Sequence, residues 1–386
     1  MDFTIVMSGP LCTRMLADLG ADVIKVETPQ GDSVRQRPPM RGSSSTYFAS
    51  LNCGKRSVVL DLKSPAGLEA ARLLCLKADI VVENFRPGVM KRFGLDYESL
   101  SPQRPRLIYA SLSGFGQSGP FAGRPAYAPV IHASSGYDSA HMEQQEDAQH
   151  PANNGIFVAD VLGGIHAASA IHLALYDRER TGLGQHIDLA LMDGVLGMLV
   201  YELQLAQFPR DVPRLLYRPV RAKDGFVMVA PVSRKNLAAL SAVIGDPDVD
   251  LEAKFGSVRQ REDNWKDLLA VISKWTAERT AAECEEILMA AGVPCARYRS
   301  VTEVLDDPQL AARGTFQRLG EKDDTFLVTN LPYRLSRART QARSLLATLG
   351  QHTREVLRDV LGYSPERAES TAKARSQSRA PLEGGA

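Results

Sequence analysis

The chain has 386 residues, 44% of them apolar, which is enough for two domains with real cores. Its 46 basic and 45 acidic side chains nearly cancel, which removes the electrostatic ground for nucleic acid or a membrane surface as partner. Cys12, Cys53, Cys75, Cys284 and Cys295 form no CxxC pair or metal-type cluster, and no signal peptide or bilayer-long apolar run is evident, so a cytoplasmic protein without structural metal is expected.

In chain order, MDFTIV reads as a strand running into Ser8-Gly9-Pro10 and the helix LCTRMLADLG, closed by Gly20; ADVIKVE, residues 21–27, is a second strand. Glu27 ends it as an acid does in dinucleotide-binding folds, but SGP replaces GxGxxG, so the nicotinamide reading loses the glycines that admit a pyrophosphate. A strand over Arg56–Leu62, a helix opened by Ser64-Pro65 over 65–77, and a strand over Ala78–Glu83 follow. Asn84-Phe85-Arg86-Pro87-Gly88 is a loop at that strand's C-terminal end, where open α/β sheets bind ligands. With a further strand over Arg106–Ser111 and the glycine-rich SGFGQSGP, the alternation predicts a doubly wound, largely parallel α/β sheet.

The centre, PANNGIFVADVLGGIHAASAIHLALYDRERTGLGQHIDLALMDG over Pro151–Gly194, predicts a long, mostly buried helix with Asp160 in its first turn. An acid there is ordinarily a cap or a dipole partner. The helix end favours its ionised form, and Gly163 and Gly164, three and four residues on, predict a slot above it.

After residue 207 the texture changes. Val220–Lys223 and Phe226–Pro231 flank the turn Asp224-Gly225, and helical patterns follow near 234–244, 263–276 and 281–291. Trp265 and Trp275 read as core or interface. Residues 364–386 lack apolar periodicity and predict a disordered tail.

FVADVLGG with its Ala-rich helix, the turn TGLGQ, HIDLALMDG, LNCGKRSVVLDLK, VVENFRPGV, LIYASLSGFGQSGP and VPCARYRSVTEVLDDPQLAARGTF together resemble the family III CoA-transferases. The resemblance implies that Asp160 is the nucleophile. It implies that Val6, Met7 and Ser8 line the CoA site, that Leu60 and Lys63 meet the nucleotide end, and that Asn84, Phe85 and Arg92 hold pantetheine and phosphates. Arg35 is a further candidate for phosphate, and Tyr127 for the site wall. Coenzyme A is substrate here, and no metal or nicotinamide is expected. Exchanging one thioester for another needs no phosphate energy source, and no GxxxxGK[ST] loop occurs.

The family's architecture implies a large Rossmann-like domain over 1–207, a small α+β domain over 208–325, a return segment over 326–363, and an interlocked homodimer with the site between one chain's large domain and its partner's small domain. Met7 and Thr28 depart from the amide and arginine of the formyl-CoA transferases, which argues against formyl or oxalate specificity; another small dicarboxylic or related acid is expected. The related α-methylacyl-CoA racemases pair the acid with a histidine, where this chain has Tyr127, a phenol and a poor proton partner at neutral pH. Recruiting His132 would rescue that second reading; a packing role suits His132, His166 and His172 better.

Overall fold

The computed structural model describes residues 1–143, 145, 149–151, 155–209, 217–245, 251–320 and 324–375. Contacts divide them into two compact units, one drawn from Met1–Val200 and Ala311–Ala386, the other from Tyr201–Leu310.

The first unit is built on a parallel sheet. Val23–Glu27 pairs with Lys55–Val59, while Ile80–Glu83 pairs with Ile108–Ser113 and that strand with His186–Ala190. The first residues join the two groups, because Asp2 N–H donates to Ile24 O and Phe3 N–H to Val82 O, both at 2.9 Å. Across the sheet the strands therefore run third, second, first, fourth, fifth, sixth in chain order. The opening strand is shorter than MDFTIV: Asn84 takes both the N–H and the carbonyl of Ile5, at 2.9 and 2.8 Å, and Val6 turns to φ +65°.

Alternation along each strand sends side chains to opposite faces. Val81 and Tyr109 join Leu74 and Leu357 in one core, and Val82 and Ile108 join Cys12, Ala167 and Ile171 in the other. Beneath the opening segment, the buried Lys55 ammonium donates to Asp2 Oδ2 and Asn52 Oδ1 at 2.9 Å, to Thr13 Oγ1 at 2.7 Å and to the Pro10 carbonyl at 2.9 Å. Burial lowers Lys55 to about 8, with Asp2 pulling against it. This filled set of bonds fixes the start of the Ser8–Asp18 helix relative to the sheet.

The central helix, Val158–Thr181, ends on Gly182 at φ +78°. Ala167, Ala168, Ile171 and Ala174 pack on the sheet, but Ile165, Leu173 and Tyr176 are exposed, so the helix is less buried than its sequence suggests. It is also long and apolar enough to cross a membrane by length and composition, contrary to the expectation of no such run; its charges are concentrated in its last turns, at Asp177–Arg180.

The expected tail begins as structure. Ser364 accepts the Arg367 N–H, Pro365 opens a helix over Pro365–Lys373, and Ala368 and Thr371 are buried. Two buried side chains per nine residues leave little periodicity to read, which is why the pattern suggested disorder. The remainder of that tail, 376–386, lies outside the described residues.

The second unit carries an antiparallel sheet of Val220–Arg221, Phe226–Val229 and Cys295–Arg297. The helices Arg234–Ile244, Trp265–Ala277 and Ala281–Ala290 pack Leu237, Ile272 and Leu288 around Val227. Trp275 is in this core, and Trp265 meets Tyr217 edge-on at 5.4 Å. The chain re-enters the first unit at Ala311, ahead of the expected 326, because the hairpin of Phe316–Leu319 and Phe326–Thr329 places Leu319 and Val328 against Cys53 and Ala342.

Candidate active site

Strand order reverses between the first and fourth strands, so the loops leaving their C-terminal ends diverge and leave a crevice. One loop is Ile5–Ser8 and the other begins at Asn84, and the Asn84 amide ties the two together. A cavity of about 980 Å³ opens there. Val6 is the one described non-glycine residue at positive φ, a costly conformation for a β-branched side chain, and it lies in the cavity wall.

Asp160 reaches this wall from the first turn of the Val158–Thr181 helix. Phe157, at the cap position, supplies no side-chain bond, and Asp160 is the only acid in that first turn. The two glycines after it do not frame an empty slot. A Cβ on Gly164 would come within 2.8 Å of the Ser8 carbonyl oxygen and 3.0 Å of Leu11 Cβ, and one on Gly163 within 2.2 Å of Leu191 Cδ2. The glycines are therefore filled by packing, and their smallness lets the Ser8–Asp18 helix approach until the Ser8 hydroxyl bonds the Asp160 carboxylate.

Two helix N-termini thus meet at one carboxylate, and both favour its charge. Burial opposes them and prevails: Asp160 is pushed up to about 6, with the Ser8 bond holding it partly down. The expected ionised state therefore holds only above that pH. Close by, the buried Tyr47 hydroxyl has no hydrogen-bond partner among the described residues, and burial, then the charge of Asp160, raises its pKa.

Val6, Met7, Ser8, Leu60, Lys63, Asn84, Phe85, Arg92 and Tyr127 all line the same cavity as Asp160. Arg35 does not. Its fork closes on Glu27, Nε to Oε2 and Nη2 to Oε1 both at 2.7 Å, while Nη1 donates to the Ala347 carbonyl at 3.1 Å and the guanidinium stacks 4.0 Å above Phe48. The buried Glu27 needed a partner, and burial is outweighed by Arg35, Lys25 and Ser57, which hold its carboxyl below its ordinary value. Arg35 thus answers a carboxylate of its own chain.

The cavity wall also carries Arg86, Arg124 and Arg375, which sequence reasoning did not single out. Arg86 stood inside a motif already marked as a ligand loop; Arg124 immediately precedes Pro125, and Arg375 lay in the supposed tail. His132 is buried; its Nε2 accepts the Ala159 N–H at 3.1 Å, and burial lowers its pKa. That bond occupies the nitrogen a proton acceptor would need.

The sequence model described as CoA-transferase family III matches residues 1–353. The chain belongs to CoA-transferase family III. This family III chain is 37% identical to the acetyl-CoA:oxalate CoA-transferase of Acetobacter aceti over 83% of its own length and 84% of that protein. It is 34% identical to the succinate–glutarate CoA-transferase of Agrobacterium fabrum, with 92% of each chain covered. Among solved structures, a CAIB/BAIF family protein from Brucella suis superposes with a TM-score of 0.78 at 32% identity, covering 91% of this chain and 94% of that one. The expectation against oxalate drawn from Met7 and Thr28 stands beside a relative that is itself named for oxalate.

Proposed function

We propose that this enzyme moves CoA between an acyl-CoA donor and a small dicarboxylic acid of the oxalate, succinate and glutarate class, through a covalent intermediate on Asp160. The observation that carries the reading is the Asp160 carboxylate at the wall of a basic cavity at the strand-order reversal. The acids named for the two relatives support the substrate class.

In the forward half, an Asp160 carboxylate oxygen attacks the thioester carbonyl carbon, the C–S bond breaks, and CoA leaves as thiolate, giving a mixed anhydride. The thiolate then attacks the Asp160 carbonyl carbon, expelling the donor's carboxylate and leaving an aspartyl-CoA thioester. The acceptor carboxylate attacks that thioester, CoA thiolate departs again, and its attack on the acceptor's acyl carbon releases the new acyl-CoA and free Asp160. Ser8 orients the nucleophile, and Lys63, Arg86 and Arg92 meet the nucleotide's phosphates.

Racemisation needs a second proton acceptor, and the occupied Nε2 of His132 speaks against it. The large domain is read as Rossmann-like. A second copy of the chain covers the exposed Ile165, Leu173 and Tyr176, in an interlocked homodimer, and five free thiols suit a reducing, cytoplasmic setting.

The test is to incubate the enzyme with succinyl-CoA or acetyl-CoA and hydroxylamine, then map peptides by mass spectrometry. A hydroxamate on Asp160 is expected. Solvent deuterium entering the α-carbon, with no adduct and no CoA exchange, would overturn the transferase mechanism.

A further inference from the structure

The match to the family ends at residue 353, but the described chain goes on through the helices Thr353–Asp359 and Pro365–Lys373. The second is anchored. Its Arg367 pairs with Glu69 on the Pro65–Lys77 helix at 3.2 Å and lies 3.9 Å over the Tyr363 ring, and Lys373 bonds Glu369 at 2.8 Å. Arg375, two residues past its end, reaches the cavity wall that also carries Lys63, Arg86 and Arg92.

The guanidinium is held from behind: Nη1 donates to the carbonyls of Ala372 at 2.9 Å and Ala374 at 2.8 Å. Among the described residues, Nε and Nη2 make no hydrogen bond. A planar cation fixed through one nitrogen, with its remaining donors open at a wall that also carries Lys63, Arg86, Arg92 and Arg124, is suited to a phosphate group. The geometry points to Arg375 as a contact to the phosphates of the CoA nucleotide, supplied by a segment beyond the family match. This inference rests on reading the cavity as the CoA site.

Free CoA carries no acyl carboxylate, so its only anions at neutral pH are the phosphates, which makes it the probe. Calorimetric titration of the full chain is expected to give about five- to tenfold weaker CoA binding for R375Q and a change within about twofold for R375K, with the R375Q deficit shrinking at high salt. A deficit of R375Q toward dephospho-CoA as large as toward CoA assigns the contact to the diphosphate; one confined to CoA assigns it to the 3′-phosphate. Wild type that binds CoA with R375Q matching it overturns this inference alone. Wild type without CoA affinity overturns the reading of the cavity, and the inference with it.

Discussion

Replacing Asp160 with asparagine should stabilise the protein at neutral pH, and the gain should vanish in acid. The carboxyl titrates at about 6 in the fold against an ordinary value of 3.8, so the fold prefers its protonated form. The sign is opposite to that of a paired acid. Below pH 4 the group is protonated whether folded or unfolded and costs nothing; from pH 4 to 6 the unfolded chain ionises first and stability drains away; above 6 the loss is complete. Two pH units at about 1.4 kcal/mol each give roughly 3 kcal/mol as an upper bound. Because the carboxylate faces an open cavity, solvent screening reduces this to about 1–2 kcal/mol. Asparagine keeps the shape and never carries the charge. Urea unfolding at pH 4, 5, 6 and 7.5, with slopes compared, measures the difference directly. A variant no more stable than wild type at pH 7.5, or equally stabilised at pH 4, would refute burial of the charge as the cause.

Gly164→Ala should lower stability by about 1–3 kcal/mol, because its Cβ meets backbone at Ser8 and the Ser8–Asp18 helix must back away, which outweighs about 1 kcal/mol of helix propensity. Gly163→Ala meets only the end of the flexible Leu191 side chain and should be near neutral; thermal melts in the reverse order would show that helix approach is not set at Gly164. Arg35→Ala strands the buried Glu27 and should cost about 2–3 kcal/mol, softened by Lys25, while CoA affinity of the folded variant stays within about twofold. A tenfold loss of CoA affinity without loss of stability would return Arg35 to the ligand site.

Much of this was legible because local signals agreed with the fold. Ser64-Pro65 marks the start of a helix that runs over Pro65–Lys77, and the apolar run of ADIVVE becomes a strand buried on both faces. What escaped reading depended on distant partners. Nothing near Arg35 in the chain says whether its fork meets a phosphate or Glu27, since both are anions and the choice follows from packing against Phe48. The glycines after Asp160 signalled a close approach, but a sequence cannot say whether a ligand or a helix makes it. Arg375 was hidden because a short helix anchored by Ala368, Thr371 and ion pairs has almost no hydrophobic stripe.

Three departures from ordinary packing lie around Asp160. Val6 holds an unfavourable φ, the Tyr47 hydroxyl is buried without a partner among the described residues, and Asp160 is desolvated although its helix end favours the charge. The last accompanies the close approach of the N-terminus of the Ser8–Asp18 helix to that of the Val158–Thr181 helix. A fixed carboxylate gains nothing from that arrangement, as its raised pKa records. A nucleophile does under the mechanism proposed here, because negative charge leaves the carboxylate during attack and develops on the thioester oxygen. That transfer relieves the desolvated anion. The strain that lowers stability in the resting enzyme is then released on the way to the transition state, which is why the substitution that removes the charge should gain stability and lose turnover together.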